Sequence, residues 1–361
     1  MINDRIRVLA PELVYNDEEL NFTFDGSCCT LRRPDGKIDF WTTACTSRLV
    51  YKHFRGTLDE PFKEELPEFE WDHNNYRCDF PCGVWVQSFY QCDDGMLVGF
   101  VHREDYIRDE FDKVLIDYPQ SYHIGFAVSF DNGQHWKYLG DACGTSCNYI
   151  SRRRSGGRYP NIAGVPFFPG KDGYFYFYFN EYTPEWERYI SGARLPMKEA
   201  IDMIRRGESP AALVKKYSGG NTWDTEAMHS TGAKMLPEDC EDIRYFEDCG
   251  YKYDCHSDAA YCSALDKYVL VVHTARQIVL FFSDDGAHWD EHKVIATADP
   301  YVGLCYYSTI VGIDAESSDD FSIVGRDFYV YYTHKVGFFR LPNNYGDYKT
   351  DMLYRVRVTV D

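Results

Sequence analysis

The sequence predicts an all-β protein, a five-bladed β-propeller with four-stranded antiparallel blades and one short helical insertion. Three observations predict it. Aromatic residues, which favour strands, make up 17% of the 361 residues. One unit recurs five times: an apolar run, a turn containing Asp, Gly or Lys, then a second apolar run, which is a hairpin signal. Two of the units continue into matching octapeptides, Ser129–Trp136 and Phe282–Trp289.

The first unit runs from Cys28 to Arg33, turns at Pro34-Asp35-Gly36-Lys37 and returns over Ile38 to Trp41. The second uses Val84 to Tyr90, the turn Cys92-Asp93-Asp94-Gly95, and Met96 to Val101. The third uses Ile162 to Phe168, Gly170-Lys171-Asp172-Gly173, and Tyr174 to Phe179. The fourth uses Ala259 to Ala264, Leu265-Asp266-Lys267, and Tyr268 to His273. The fifth uses Tyr306 to Ile313, an acidic link over Asp314 to Asp320, the turn Gly325-Arg326-Asp327, and Phe328 to Tyr332. Turns roughly 60 to 90 residues apart suggest sheets repeated about an axis. The octapeptides share Asp-x-Gly-x-His-Trp; the first fits the Asp-box pattern, and the second puts Phe282 in the Ser place. In such a turn Asp accepts backbone N–H bonds, Gly takes positive φ and Trp packs the turn onto the sheet.

Pro196 before Met197 to Arg206, with Gly207 after, predicts a helix inserted in the third unit. Ile6-Arg7-Val8-Leu9 is expected to close the last blade, and Glu60 to Asp79 reads as a long acidic loop. No interdomain linker appears, so residues 1–361 are expected to form a single domain.

With 57 acidic against 38 basic residues the net charge is −19. That excludes a general nucleic-acid binder and docking on anionic lipid. No apolar run reaches the length of a membrane-spanning helix. Met1-Ile2-Asn3-Asp4-Arg5 lacks the plan of a signal peptide. The thirteen cysteines show no structural zinc spacing. They read as mostly reduced thiols, which sets the expectation of a cytoplasmic protein; the alternative is a secreted or periplasmic one with its signal peptide removed. No phosphate-binding glycine loop and no nucleophile elbow is present.

The five units, the Asp boxes and Phe24-Asp25-Gly26 opening the first inner strand resemble the five-bladed β-propeller glycoside hydrolases, the arabinanases, β-xylosidases and related furanosidases. Asp boxes also occur in the six-bladed sialidases. The resemblance implies hydrolysis of an oligo- or polysaccharide in the central depression by three acidic residues. These are a general base on the first blade, a second Asp that tunes the acid, and a Glu that donates the proton. The base falls on Asp25. Asn161 stands where the second Asp would be, and Asp258 where the Glu would be, so the chain departs from the pattern at two of three positions.

Polar residues that open the inner strands or end the second strands are the candidates for chemistry. Glycoside cleavage needs two carboxyl groups across the bond, and Asp25, Asp258 and Glu104 are the catalytic candidates. An Asp before Gly also reads as a capped turn, Asp258 as an Asx turn, and Glu104 as a solvated loop acid. Trp85, Gln87, Asn161, Glu181, His256, His273, Tyr306, Tyr307 and His334 are the candidates for substrate contact. Each strand-end His reads equally as a hydrogen-bonded structural residue, and each aromatic as ordinary packing. No cofactor is required by any motif, although His102, His256, His273 and His334 leave open a divalent metal in the central channel. Arg152-Arg153-Arg154 and Arg158 form a basic loop suited to an anionic group or an oligomer contact. A sialidase-type site would need three convergent arginines, and no motif fixes Arg32, Arg194 or Arg276 in that role. The expected partner is a carbohydrate, with a homo-oligomer contact open at the helical insertion. A β-eliminating polysaccharide lyase using His256 and Tyr307, and a non-catalytic glycan-binding propeller, are the rival functions.

Overall fold

Hairpins build the chain. A computed structural model describes every residue except 1, 17, 21, 46–48, 68–69, 73–83, 106–120, 146–160, 184–186, 246–251, 299–302 and 337–350. In chain order, β1 (Ile6–Val8) and β2 (Glu12–Tyr15) precede the first blade, β3 (Thr23–Arg32), β4 (Ile38–Cys45), β5 (Leu49–Gly56) and β6 (Glu64–Glu65). The second blade has β7 (Glu70–Asp72), β8 (Val84–Gln91), β9 (Leu97–Asp105), β10 (Ser121–Ser129) and β11 (His135–Cys143). The third has β12 (Asn161–Ala163), β13 (Phe167–Pro169), β14 (Tyr174–Tyr182), β15 (Arg188–Pro196), β16 (Lys215–Lys216) and β17 (Thr225–Glu226), with α1 (Met197–Arg205) inserted after β15. The fourth has β18 (Ala259–Cys262), β19 (Lys267–His273), β20 (Gln277–Ser283) and β21 (Glu291–Thr297). The fifth has β22 (Gly303–Gly312), β24 (Asp327–Val336) and β25 (Asp351–Val360), while β23 (Ile323–Val324) runs parallel to β18.

Five sheets, each a mainly antiparallel meander, make this a five-bladed β-propeller. Residues 60–79, expected as a loop, contribute β6 and β7. The third inner strand is split at residues 164–166, because Pro166 has no N–H for the ladder. Ile6 pairs with Val360, so the N-terminal strand joins the fifth sheet as expected. β2 pairs with β25 as well.

The chain forms two compact units, one of residues 1–68 and 237–361, the other of residues 69–236. In the first unit, Val271 and Leu280 of the fourth sheet share a core with Val330, Val356 and Val358 of the fifth. Phe24, Phe40 and Phe54 of the first sheet share another with Val311, Tyr331 and Leu353 of the fifth. In the second unit, Phe100 and Phe126 pack with Phe167, Phe175 and Phe177, and α1 buries Ala200 and Ile204 against the same cluster. Cys28, Cys143, Cys262 and Cys305 are buried thiols, and burial pushes those of Cys28, Cys143 and Cys305 up to about 12. They are inert at neutral pH.

The two octapeptide turns differ in register. In the first, Ser129 Oγ accepts the Gly133 N–H at 2.8 Å, and Asp131 accepts the His135 N–H at 2.9 Å. In the second, Ser283, not Phe282, takes the serine role, accepting the Gly286 N–H at 2.8 Å. Asp285, not Asp284, accepts the N–H groups of Ala287 and His288. The second turn is one residue tighter, and Asp284 pairs with Lys267 at 2.8 Å instead.

A charged staple holds the first blade. Asp39, on β4, is fully buried and takes Arg55 at 2.6 Å, Arg33 at 2.7 Å and His53 at 3.2 Å from three neighbouring positions. Burial opposes its ionisation, but bonds from His53, Arg55 and Arg33 outweigh that and hold the carboxyl well below the ordinary range. Its stabilising contribution is therefore complete above the ordinary carboxylate pKa of about 3.9 and fades as pH falls below it. We expect Asp39→Asn to lower stability by about 1–3 kcal/mol at pH 7, since both arginines retain some solvent. The gap between thermal melts of the two proteins should stay constant down to about pH 4 and narrow steadily below it; a gap unchanged below pH 4 would refute this account.

Candidate active site

In the first unit, polar groups gather where inner strands lose their regular pairing. The register of β3 against β4 breaks between Phe24 and Cys28, and that of β22 against β24 between Tyr306 and Thr309. Such bulges re-aim side chains. The first frees Asp25 and the second frees Tyr307, whose φ of +52° is a strained backbone conformation for an aromatic residue. The bulged strands are tied together: the Cys28 N–H donates to Thr309 Oγ1 at 2.8 Å, and the Tyr307 hydroxyl to Asp25 Oδ1 at 3.0 Å. Asp25 is exposed. Burial pushes the Tyr307 phenol well above its ordinary value, and the carboxylates of Asp25 and Asp254 add to the shift.

The fourth blade supplies the imidazoles. A bridge between Asp254 and His273 precedes β18, and the chain between them is irregular. Asp254 Oδ1 accepts both the backbone N–H of His256, at 2.8 Å, and its ring Nδ1, at 2.7 Å. His273 Nε2 lies 3.3 Å from the same oxygen. The rings then form a wall: His273 against Tyr306 at 4.7 Å, His256 against Tyr307 at 6.4 Å, and Tyr306 against Tyr307 at 5.7 Å. Asp258 follows, accepting the Ile310 N–H at 3.0 Å through Oδ2 and the Ala259 N–H at 2.8 Å through Oδ1. Its carboxyl is pushed up to about 7 by burial, which overcomes the two N–H bonds. Asp25, Asp258, His256, His273, Tyr306 and Tyr307 therefore share one neighbourhood built from the first, fourth and fifth blades.

His334 does not join them. Successive strand residues face opposite sides. Lys335 stands 5.1 Å over the Tyr307 ring, so His334 faces the other way and packs on Tyr354 at 5.9 Å. Three residues of the neighbourhood, Asp254, Lys335 and Asp351, escaped the sequence argument. The Asp-x-His spacing of Asp254 and His256 was a usable signal, and Lys335 lies one residue past the strand-end candidate His334.

The second unit holds the remaining candidates. Trp85 stacks on His102 at 6.1 Å, His102 Nε2 lies 3.2 Å from Glu104, and Tyr122 meets the His102 ring at 5.5 Å. Asn161 Oδ1 accepts the Tyr122 N–H at 2.8 Å. Gln87 is buried at the bulge of β8. Glu181 is placed differently from the expectation of substrate contact. It is fully buried against Lys216 Nζ, at 3.1 and 3.2 Å, and accepts the Gly232 N–H. Lys216 also donates to the carbonyls of Gly144 and Ser230. This is a structural ion pair that pins the segment after β17. Arg32 and Arg194, weighed for an anionic site, instead brace Phe321 and Tyr174. The arginine run 152–154 and Arg158 lie outside the described residues. Among the described residues no group of three His, Cys, Asp or Glu side chains is placed to hold a metal ion.

Solved structures share this fold. The catalytic domain of a GH62 α-L-arabinofuranosidase from Coprinopsis cinerea matches with TM-score 0.51 at 9% identity, over 98% of this chain and 96% of that one. An α-L-arabinofuranosidase from Podospora anserina, in complex with cellotriose, matches with TM-score 0.51 at 7% identity over the same shares. A protein of unknown function from Dyadobacter fermentans matches with TM-score 0.52 at 11% identity over 99% of both chains. The fold is thus one that these α-L-arabinofuranosidases also adopt. No protein-family profile matches the chain, and no curated protein matches it in sequence.

Removing one partner of a buried ion pair strands the other. Lys216→Met should cost about 3–5 kcal/mol, and adding Glu181→Leu should recover a large part of it. Urea unfolding of the single and double variants checks this; a double variant no more stable than the single one would refute it.

Proposed function

We propose that the chain is a glycoside hydrolase acting on an oligo- or polysaccharide, with Asp25 as general base and Asp258 as general acid. The observation that carries this reading is the contrast between two carboxyl groups attached to one strand, β22. Asp25 is exposed to solvent and bonded by Tyr307; Asp258 is half-buried, bonded by two backbone N–H groups, and its carboxyl is pushed up to about 7 by burial. Paired carboxyls in opposed environments are the usual way to divide acid and base roles. The exposed carboxylate takes a proton from water as it attacks the anomeric carbon. The raised carboxyl of Asp258 gives its proton to the departing glycosidic oxygen. The fold shared with named α-L-arabinofuranosidases supports a sugar substrate, and Tyr306 and Tyr307 offer faces on which a ring can stack.

A second reading is favoured by a separate observation. Asp254 holds His256 beside the Tyr307 ring, an imidazole and a phenol that suit a β-eliminating lyase. Its products carry an unsaturated, ultraviolet-absorbing end.

Mass spectrometry of products from a panel of 4-nitrophenyl glycosides and plant, algal and microbial glycans separates the readings. Products heavier by one water support hydrolysis, unsaturated products support elimination, and binding without product supports a glycan-binding role. For the hydrolase, Asp25→Asn and Asp258→Asn should each lower kcat by about 10²–10⁴-fold with the fold retained; full turnover in both would overturn the assignment. Because Asp258 works protonated, kcat/KM should fall as pH rises through about 7, and the residual activity of Asp258→Asn should lack that limb.

A further inference from the structure

Asp25 emerges from the innermost strand of its sheet, whose free edge has no ladder partner among the described residues. A backbone group on such an edge must be satisfied by other means. At Phe24, the residue before Asp25, both groups are satisfied by one pair of side chains from the fifth blade. The Phe24 N–H donates to Asp351 Oδ2 at 2.8 Å, and the Phe24 carbonyl accepts from Lys335 Nζ at 3.0 Å. Lys335 and Asp351 are register partners across β24 and β25, and their charged ends lie 3.5 Å apart. Together they present a donor and an acceptor as a neighbouring strand would. Lys335 also stands over the ring of Tyr307, whose hydroxyl holds the Asp25 carboxylate.

We propose that Lys335 and Asp351 are positioning residues for the reaction: they clamp the Phe24 peptide from both sides and so fix the direction in which Asp25 projects. The role rests on the assignment of Asp25 as base. The pair touches the backbone beside Asp25 and the phenol that holds it. With the clamp removed, β3 keeps its pairing to β4 from Cys28 to Arg32, while the Asp25 segment loses its fixed orientation. The effect is therefore confined to the segment and to the chemical step.

The test uses the full chain. Lys335 is partly accessible, so Lys335→Met keeps the stem and removes only the charge and its donors; Lys335→Arg keeps both. With the 4-nitrophenyl glycoside cleaved fastest in the panel, Lys335→Met should lower kcat about 10-fold or more while KM stays within about 3-fold. Lys335→Arg should restore kcat to within about 3-fold. Independently of activity, amide exchange followed by mass spectrometry should accelerate about 10-fold or more in the peptide spanning residues 22–28, with distant peptides unchanged. Exchange across 22–28 that matches the parent would overturn the clamp whatever the turnover. Faster exchange with unchanged kcat would overturn its role in the reaction. Full turnover in Asp25→Asn would instead remove the function assignment, with the exchange result still deciding whether the clamp exists.

Discussion

In the first unit, the inner strands of three blades break their ladders, at Asp25 to Ser27, Cys255 to Asp258 and Tyr307-Ser308, and the candidate site there depends on how those breaks are repaired. A regular ladder would turn these residues alternately into the sheet faces and leave no polar group projecting along the strand edge. Breaking it frees the side chains but leaves backbone groups to satisfy. Side chains answer that need: Thr309 for Cys28, Asp258 for Ile310, Asp254 for His256, and Lys335 with Asp351 for Phe24. Carboxylates that a sequence suggests as catalytic are thus divided into those that hold backbone and those that face solvent. Asp25 belongs to the second kind, Asp254 and Asp351 to the first, and Asp258 combines a backbone role with a raised carboxyl.

The sheets were legible in the sequence because the signals that define them are local. Hairpin turns need particular residues at fixed offsets, so Gly36 and Gly95 mark their turns with φ of +81° and +83°. The helix was legible from Pro196 and Gly207 for the same reason. The site was legible only in part. Strand ends pointed to the stretches around Asp25, His256 and Tyr307, which the fold brings together, because polar residues interrupt apolar runs there. They missed Asp351, since its partner Phe24 lies 327 positions away in sequence and no local pattern encodes that meeting. They missed Lys335 because facing alternates along a strand, and stopping at His334 selects the wrong side. Glu181 showed the converse limit. A glutamate ending an apolar strand looks like a site residue until Lys216, 35 positions on, is seen to neutralise it. In the second octapeptide the shared letters aligned Asp284, whereas the backbone uses Asp285.

Buried charge is used for architecture in both units. Asp39 gathers Arg33, His53 and Arg55 around the first hairpin, and Lys216 gathers Glu181 and two carbonyls in the third blade. Neither cluster is arranged to give up or accept a proton during a reaction. Asp39 is held ionised by three donors, and Lys216 is enclosed by four acceptor atoms. The groups suited to proton transfer are instead those with few partners and some access to solvent.

The pairing of Ile6 with Val360 sets an order of events during synthesis. The second unit, residues 69–236, is continuous in the chain, so all of its strands are made before β25. The first unit is not, because its fifth sheet joins β1 and β2 to β25, with the whole second unit between them in sequence. In a nascent polypeptide β1 and β2 therefore wait for β25, through the emergence of all the intervening strands. Contacts of such long sequence separation close slowly, and an open edge invites pairing with another chain. The exposed acids along this stretch, Asp4 and Glu12, place charge beside that edge during the interval.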